Sequence, residues 1–223
     1  MPDFKQKFYD ITHLVQTEFD RSLELYGSKI QCRRGCSKCC SQIFRITPLD
    51  GWIIREHVKT LPLERQAELK QKAKEYLEKV PLIKGDLGGL ETDHSAKNES
   101  LPFSKGESAK REGVKSTDHP VSSSHPSLTK EGSINPPCPA LGPEGECTIY
   151  EARPVVCRRF GMPIYDYKNP QNVYACDLNF KAGEEIRDDK LIPNQTEIGK
   201  KWDELKDEFG AGATTIAEAI LGS

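Results

Sequence analysis

Cysteine is the residue type in this sequence with the clearest capacity for chemistry. Four cysteines fall in the segment CRRGCSKCC, residues 32–40, and four more are spread between residues 138 and 176. The eight cysteines are Cys32, Cys36, Cys39, Cys40, Cys138, Cys147, Cys157 and Cys176. Thiolates are soft ligands that suit zinc, copper(I) and iron–sulfur clusters, so both groups of cysteines are candidates for metal binding.

The spacing within the first group favours two metal ions or one larger cluster. Cys36 and Cys39 form a C-x2-C pair, in which one tight turn can present two sulfur atoms to the same ion, and Gly35 can adopt the dihedral angles of such a turn. Cys40 follows Cys39 directly, and neighbouring side chains normally point apart. Eight thiols could form two zinc sites of four cysteines each, a polynuclear zinc–thiolate cluster or the ligands of an iron–sulfur cluster.

Turn and helix signals organise the second group of cysteines. The sequence GPEGE predicts a turn that brings Cys138 beside Cys147, and Pro154 suits the first position of a short helix that carries Cys157. Basic residues accompany both groups, and a positive charge near a thiol lowers its pKa and offsets the charge of a metal–thiolate centre. These residues are Arg33, Arg34, Lys38, Arg153, Arg158 and Arg159.

The composition argues for a cytoplasmic protein with reduced thiols. The first 27 residues carry charges throughout and lack the apolar core of a signal peptide, and no segment is apolar enough to span a membrane. In the cytoplasm, dense cysteines indicate metal binding rather than disulfides. A net charge of -2 and a pI near 6.2 give no basic excess for binding nucleic acid. A metal ion is therefore the predicted partner, and no protein partner is indicated.

Apolar periodicity predicts a mostly α-helical fold. One stripe, Phe4, Phe8, Ile11, Val15, Phe19, Leu23 and Tyr26, marks a helix that ends near Gly27. Thr47 as N-cap, Pro48 and Asp50 predict the start of a second helix. Leu63, Leu69, Ala73, Tyr76, Leu77 and Val80 mark the buried side of a third. Ile198, Trp202, Leu205 and Phe209 mark a C-terminal helix, which is followed by GAGA and a short apolar tail.

A low-complexity insertion separates the two groups of cysteines. Residues 84–136 are rich in Gly, Ser, Lys, Glu and Pro, have no sustained periodicity and are expected to be disordered. They contain three of the five histidines, His94, His119 and His125, which are therefore poor ligand candidates. We expect residues 1–83 and 137–223 to pack together as one small, irregular helical domain that a metal centre staples.

Two blocks of the sequence resemble the YkgJ-type cysteine-cluster family, whose members are described as zinc- or iron-chelating proteins with a CxxCxxCC signature. The first block is CRRGCSKCC followed by FRITPLDGWII, and the second comprises CPAL and GECTIYEARPVVCRRF. Cys176 corresponds to the final cysteine of the family pattern. Three residues separate Cys32 from Cys36 where the signature has two.

The resemblance implies a metal-binding protein of undefined cellular role, with zinc, iron or an iron–sulfur cluster as cofactor. A related cysteine cluster in flagellin lysine N-methylases supports a second hypothesis, an enzyme with a redox-active iron–sulfur cluster. Against it, GDLGG does not match a dinucleotide-binding fingerprint, and the sequence does not identify a catalytic residue. A third hypothesis is a zinc-stapled interaction or nucleic-acid module that uses the basic residues near the cysteines. Against it, the sequence has no basic excess and no interleaved aromatic pattern.

Overall fold

The computed structural model describes residues 3–33, 35–80, 136–168, 173–181 and 186–223. The predicted disordered insertion, residues 84–136, lies outside the described residues except for Pro136. Arg34 and the three histidines of the insertion lie outside them as well.

Helices dominate the described residues, which confirms the predicted fold class. The α-helices there are α1 (Phe4–Tyr26), α2 (Pro48–Thr60), α3 (Leu63–Lys79), α4 (Val155–Arg159), α5 (Leu191–Phe209) and α6 (Ile216–Leu221). The strands have two residues each: β1 (Arg45–Ile46), β2 (Ile164–Tyr165), β3 (Val173–Tyr174) and β4 (Thr214–Thr215). Strand β1 pairs antiparallel with β4, and β2 pairs antiparallel with β3. Each helix of the described chain is too short or too polar to cross a lipid bilayer.

Helix α1 ends where its sequence predicts, and Asp3 caps its beginning. Asp3 Oδ1 accepts a hydrogen bond from Gln6 N at 2.9 Å, which satisfies a free N–H of the first turn. Gly27 follows the last residue with a φ of +47°, a conformation that glycine adopts most easily. The predicted apolar stripe faces the core, and Phe8 and Val15 are fully buried.

Helix α2 begins with the predicted capping pattern. Asp50 N donates to Thr47 Oγ1 and Thr47 N donates to Asp50 Oδ2, both at 3.1 Å. Pro48 occupies the first turn, where its missing N–H removes no helical hydrogen bond. The residues on the buried side of this helix include Leu49, Ile53, Ile54 and Val58.

Helix α3 packs against α6, which also packs against α2. Leu69, Ala73 and Tyr76 of α3 are buried, as predicted. The prediction that Leu63 also lies on the buried side is wrong, because its side chain is 81% exposed. Leu63 is the first residue of α3 and precedes the turns that carry the buried stripe.

The segment after GAGA is an element of its own rather than a simple tail. It forms β4 and then α6, which packs against both α2 and α3. Thr215 and Glu218 form a second capping box, since Glu218 N donates to Thr215 Oγ1 at 3.2 Å and Thr215 N donates to Glu218 Oε2 at 2.8 Å.

Two clusters of buried apolar side chains hold these elements together. The larger cluster unites α1, α2, α3, α5 and α6 with residues between Ala140 and Met162. The smaller cluster includes Tyr26, Ile30 and Phe180, next to the β2–β3 pair. Burial of one large apolar side chain stabilises a fold by about 1.5–3 kcal/mol. Side chains from both sides of the undescribed segment therefore contribute to a common core.

A buried ion network joins α1 to the segment that precedes α5. Arg21 Nε donates to Glu18 Oε2 at 2.9 Å, and Arg21 Nη1 donates to Asp188 Oδ1 at 2.8 Å. Asn194 Nδ2 of α5 donates to Glu18 Oε2 at 2.8 Å. Both carboxylates are buried, and their hydrogen bonds raise the pKa of Arg21 above its usual value.

Candidate metal centre

Three cysteines of the first group, Cys36, Cys39 and Cys40, lie on two turns between α1 and β1. Cys36 N donates to Arg33 O at 2.9 Å, and Gly35 between them has a φ of +87°. A 3-10 turn, Lys38–Ser41, follows directly and carries Cys39 and Cys40. Glycine adopts a positive φ more easily than other residues, which explains its presence in the turn just before Cys36 and Cys39.

The predicted GPEGE turn brings Cys138 and Cys147 together. An isolated bridge pairs Leu141 with Cys147, and Leu141 N donates to Cys138 O at 2.9 Å. Cys157 follows on α4 and is buried. This helix begins at Val155, one residue later than predicted, because Pro154 occupies the N-cap position.

The backbones of the two groups contact each other at two points. Cys138 N donates to Cys40 O at 2.7 Å. At the second point, a Cβ placed on Gly145 would lie 2.7 Å from Gly35 O, so only glycine fits between these turns. The first and second groups of cysteines are therefore parts of one region of the fold.

Cys32 also reaches the second group, although its spacing departs from the family signature. Its Sγ lies 3.9 Å from Phe160 O, at the end of α4. The buried Asn179 fixes this arrangement, since its Nδ2 donates to Gly161 O at 3.0 Å and its Oδ1 accepts from Gln31 N at 2.8 Å. Sequence reasoning missed Asn179, because no local pattern distinguishes it from a turn residue.

Cys176 lies next to the first group through its neighbour Asp177. Lys38 Nζ and Asp177 Oδ2 form an ion pair at 3.2 Å. The Cys176 thiol lies 3.5 Å from Asp177 Oδ1 and interacts electrostatically with Cys36. The structure thus brings Cys176 toward the loop that carries Cys32 and Cys36.

The eight thiols divide into two neighbouring groups. A five-thiol group comprises Cys39, Cys40, Cys138, Cys147 and Cys157, within which Cys39, Cys138 and Cys147 each interact electrostatically with the other four. A three-thiol group comprises Cys32, Cys36 and Cys176. Cys32 also interacts with Cys39, so the two groups are adjacent.

Burial is the main cause of a raised pKa in five of these thiols. It raises the pKa of Cys32 and Cys176 to about 11 and that of Cys138 to about 12. The pKa values of Cys147 and Cys157 are raised for the same reason. These thiols are protonated at neutral pH, so a metal ion that binds them must displace their protons.

Cys39 differs from the other buried thiols. Its interaction with the adjacent Cys40 thiol lowers the pKa of Cys39 to about 6, against the effect of burial, and Arg153 acts in the same direction. The same interaction raises the pKa of Cys40. The Cys39–Cys40 pair is therefore where a thiolate forms most readily in the five-thiol group, because the hydrogen bond between the two thiols stabilises the ionised form of one of them.

Arg153 is the basic residue most closely associated with the thiols. Burial acts to lower the pKa of Arg153. The nearby thiols, Cys157 first and then Cys39 and Cys147, together outweigh burial, so the pKa of Arg153 is raised. The other predicted basic residues have different surroundings. Arg158 donates to three backbone carbonyls before α4.

Asp50 makes two kinds of contact near the site, and the sequence predicted only one of them, the cap of α2. Besides capping α2, it accepts a hydrogen bond through Oδ1 from Val155 N, the first residue of α4, at 3.0 Å. Burial raises the pKa of the Asp50 carboxyl, and the hydrogen bonds from Val155 and Thr47 oppose this rise. One carboxylate therefore contacts the first turns of two helices.

The donor chemistry of this region fits zinc or iron, since it gathers soft sulfur ligands beside a compensating cation. Within the described ranges, however, no group of three or more Cys, His, Asp or Glu side chains is spaced to hold a metal ion. Coordination thus requires the sulfur atoms to approach one another more closely than they do here.

Comparison with known proteins agrees with this description of the site. A model of the CxxCxxCC family, described as a "Putative zinc- or iron-chelating domain", matches residues 31–177. No curated protein and no solved structure matches the chain. The matched region begins just before Cys32, ends just after Cys176 and includes all eight cysteines. The chain therefore belongs to the CxxCxxCC family.

Proposed function

We propose that this protein binds zinc or iron through a single thiolate-rich centre formed by all eight cysteines. The observation that carries the proposal is the contact between the two groups of cysteines, including the 2.7 Å hydrogen bond from Cys138 N to Cys40 O. A fold that needed only buried thiols for packing has no reason to collect them in one region. The family match adds independent support for a metal-binding role.

The electrostatics of the region also favour a cationic ligand. Several thiolates in a buried site would repel one another, and each would lose its hydration. A divalent metal ion removes both costs, because it neutralises the sulfur charges and replaces the displaced protons. Arg153 supplies one further positive charge.

The metal centre acts as a staple between residues 1–83 and 137–223, which form one domain in this proposal. Structural zinc contributes on the order of 10 kcal/mol of apparent free energy in small zinc peptides, enough to compensate for a modest core. All eight cysteines are free thiols in the structure, which suits the reducing cytoplasm.

Metal analysis of protein purified without oxygen tests the proposal. We expect about two zinc ions per chain and no visible colour, or iron accompanied by acid-labile sulfide and broad visible absorption. Zinc would favour a structural or metal-handling role. Iron with sulfide would favour the alternative of a redox enzyme related to protein lysine N-methylases.

A matched pair of variants links the metal to the thiols. Cys157→Ser should lower the metal content, because it removes a buried sulfur of the five-thiol group, whereas Val156→Ser changes the adjacent position on α4 and should not. Failure of the wild-type protein to take up either metal under reducing conditions would contradict the proposal.

A further inference from the structure

Helix α4 contributes a buried cysteine but has no cap within its own sequence. It has five residues, Val155–Arg159, and its N-cap residue is Pro154, which makes no side-chain capping hydrogen bond. Helices this short have little stability of their own, because the first turn costs more entropy than its hydrogen bond returns. Another part of the protein must therefore hold Cys157 in place.

Asp50 of α2 provides the missing cap. Its Oδ1 accepts a hydrogen bond from Val155 N at 3.0 Å, while its Oδ2 accepts hydrogen bonds from Thr47 Oγ1 at 2.8 Å and Thr47 N at 3.1 Å. The carboxylate is 2% exposed, so water does not compete for these contacts. Both oxygen atoms of Asp50 are thus used, one for each helix.

The two helices lead to different groups of cysteines. Helix α2 follows β1 and the loop that carries Cys39 and Cys40, and α4 carries Cys157 two residues after Val155. The Asp50 carboxylate consequently links the helix that follows the first group of cysteines to the helix that carries Cys157.

We propose that Asp50 is a positioning residue for the metal centre, which it serves by capping α4 and thereby holding Cys157 toward the other thiols. The inference rests on the proposed metal-binding function. Residues that orient metal ligands typically affect metal affinity by about 10- to 100-fold. Asp50→Ala should therefore weaken zinc binding by at least about tenfold.

Competition with a chromophoric zinc chelator tests the inference on the full chain. Thr47→Ala is the matched control, because it removes the capping side chain of α2 but leaves Asp50 Oδ1 free to accept from Val155 N. Thr215→Ala removes the equivalent capping box of α6. We expect both controls to bind zinc within about threefold of the wild-type protein, since loss of an N-cap affects stability more than it affects the thiols.

Asp50→Asn supplies a conservative variant in case Asp50→Ala does not fold. The amide oxygen of Asn can still accept from Val155 N, so Asp50→Asn should bind zinc more tightly than Asp50→Ala. Cobalt(II) adds a readout of geometry, because displacement of Cys157 should reduce the sulfur-to-cobalt charge-transfer absorption per bound ion in Asp50→Ala.

Two results are decisive. If Asp50→Ala and Asp50→Asn both bind zinc as tightly as Thr47→Ala and give the wild-type cobalt spectrum, Asp50 does not position the centre. If the wild-type protein itself takes up neither zinc nor iron, the proposed function fails first, and the inference fails with it.

Discussion

Arg153 determines how much positive charge the protein itself brings to the thiols. It interacts with Cys39, Cys147 and Cys157 of the five-thiol group and with Cys32 of the three-thiol group. Several thiolates bound to one or two dications leave a net negative charge, and a guanidinium nearby reduces it without taking a ligand position. The charge of this side chain, more than its packing, should therefore affect metal affinity.

Replacement of Arg153 by methionine should weaken zinc binding about tenfold, which corresponds to about 1.4 kcal/mol. Arg153→Lys should retain part of the affinity, because it keeps the charge but not the planar donor group. Arg159→Met is the control, since Arg159 lies on α4 but donates to Tyr165 O and Gln195 Oε1 instead. Equal zinc affinities for Arg153→Met and Arg159→Met in a chelator competition would show that the charge of Arg153 has no role.

Gly161 offers a second test of a single position. A Cβ added there would lie 2.5 Å from Cys32 Sγ, and the residue has a φ of +107°. Gly210 has a similar backbone, with a φ of +138°, but a Cβ there would meet nothing within 4 Å. Alanine at Gly210 would cause backbone strain alone, whereas alanine at Gly161 would also displace a thiol. Comparison of the two variants therefore distinguishes these effects.

Both Gly161→Ala and Gly210→Ala should lose about 1–3 kcal/mol of stability in urea unfolding because of backbone strain. Gly161→Ala should also lose metal, because its methyl group displaces Cys32. If Gly161→Ala kept the full metal content, Cys32 would not be a ligand, and the extra residue between Cys32 and Cys36 would be the natural explanation.

The junction of α1 with the segment before α5 depends on one arginine. Arg21 satisfies two buried carboxylates, Glu18 and Asp188, while Asn194 of α5 adds a hydrogen bond to Glu18. Such a network adds little compared with an apolar core of the same shape, but its disruption leaves charges buried without a partner. The junction should therefore be far more sensitive to loss of Arg21 than to loss of a surface ion pair.

Arg21→Met should reduce the free energy of unfolding by about 3–5 kcal/mol, because Glu18 and Asp188 would remain buried without their cation. Lys7→Met is the control, since the Lys7–Glu208 pair is exposed and should contribute about 0–1 kcal/mol. Urea unfolding of the metal-loaded proteins measures both values. Equal losses in the two variants would mean that water reaches the Arg21 network.

Short-range patterns in the sequence predicted the helices well, whereas the sequence did not predict the contacts between distant residues. The apolar stripe of α1 and the Thr47–Asp50 cap describe interactions within one helix, so the spacing of residues was enough to find them. The hydrogen bond between Asp50 and Val155 joins residues 105 positions apart, and no local sequence pattern near either residue predicts it. The same holds for Arg21 and Asp188.

The molecule as a whole should tolerate a much shorter connection between its two groups of cysteines. The contacts that join them, Cys40 with Cys138 and Gly35 with Gly145, involve no residue between 81 and 135. The entropy cost of closing a flexible connection changes by only about 0.6 kcal/mol for each doubling of its length. The length of the connection should therefore have only a small effect on the assembly of the metal centre.

Deletion of residues 88–132 should accordingly leave the metal content per chain unchanged, as measured by elemental analysis. Replacement of the same residues by a Gly–Ser sequence of equal length is the control for length. Loss of metal in both proteins would mean that residues 88–132 contribute to the fold or to the centre. Loss in the deletion alone would mean that the remaining connection is too short.

The hydrogen bond between Cys138 N and Cys40 O also has a consequence for biosynthesis. A ribosome that adds about 5–20 residues per second completes Cys40 roughly 5–20 seconds before Cys138. During that interval the nascent chain carries Cys32, Cys36, Cys39 and Cys40 without the thiols that later surround them. In the proposed function, insertion of metal into the complete centre is consequently a late event in the maturation of the protein.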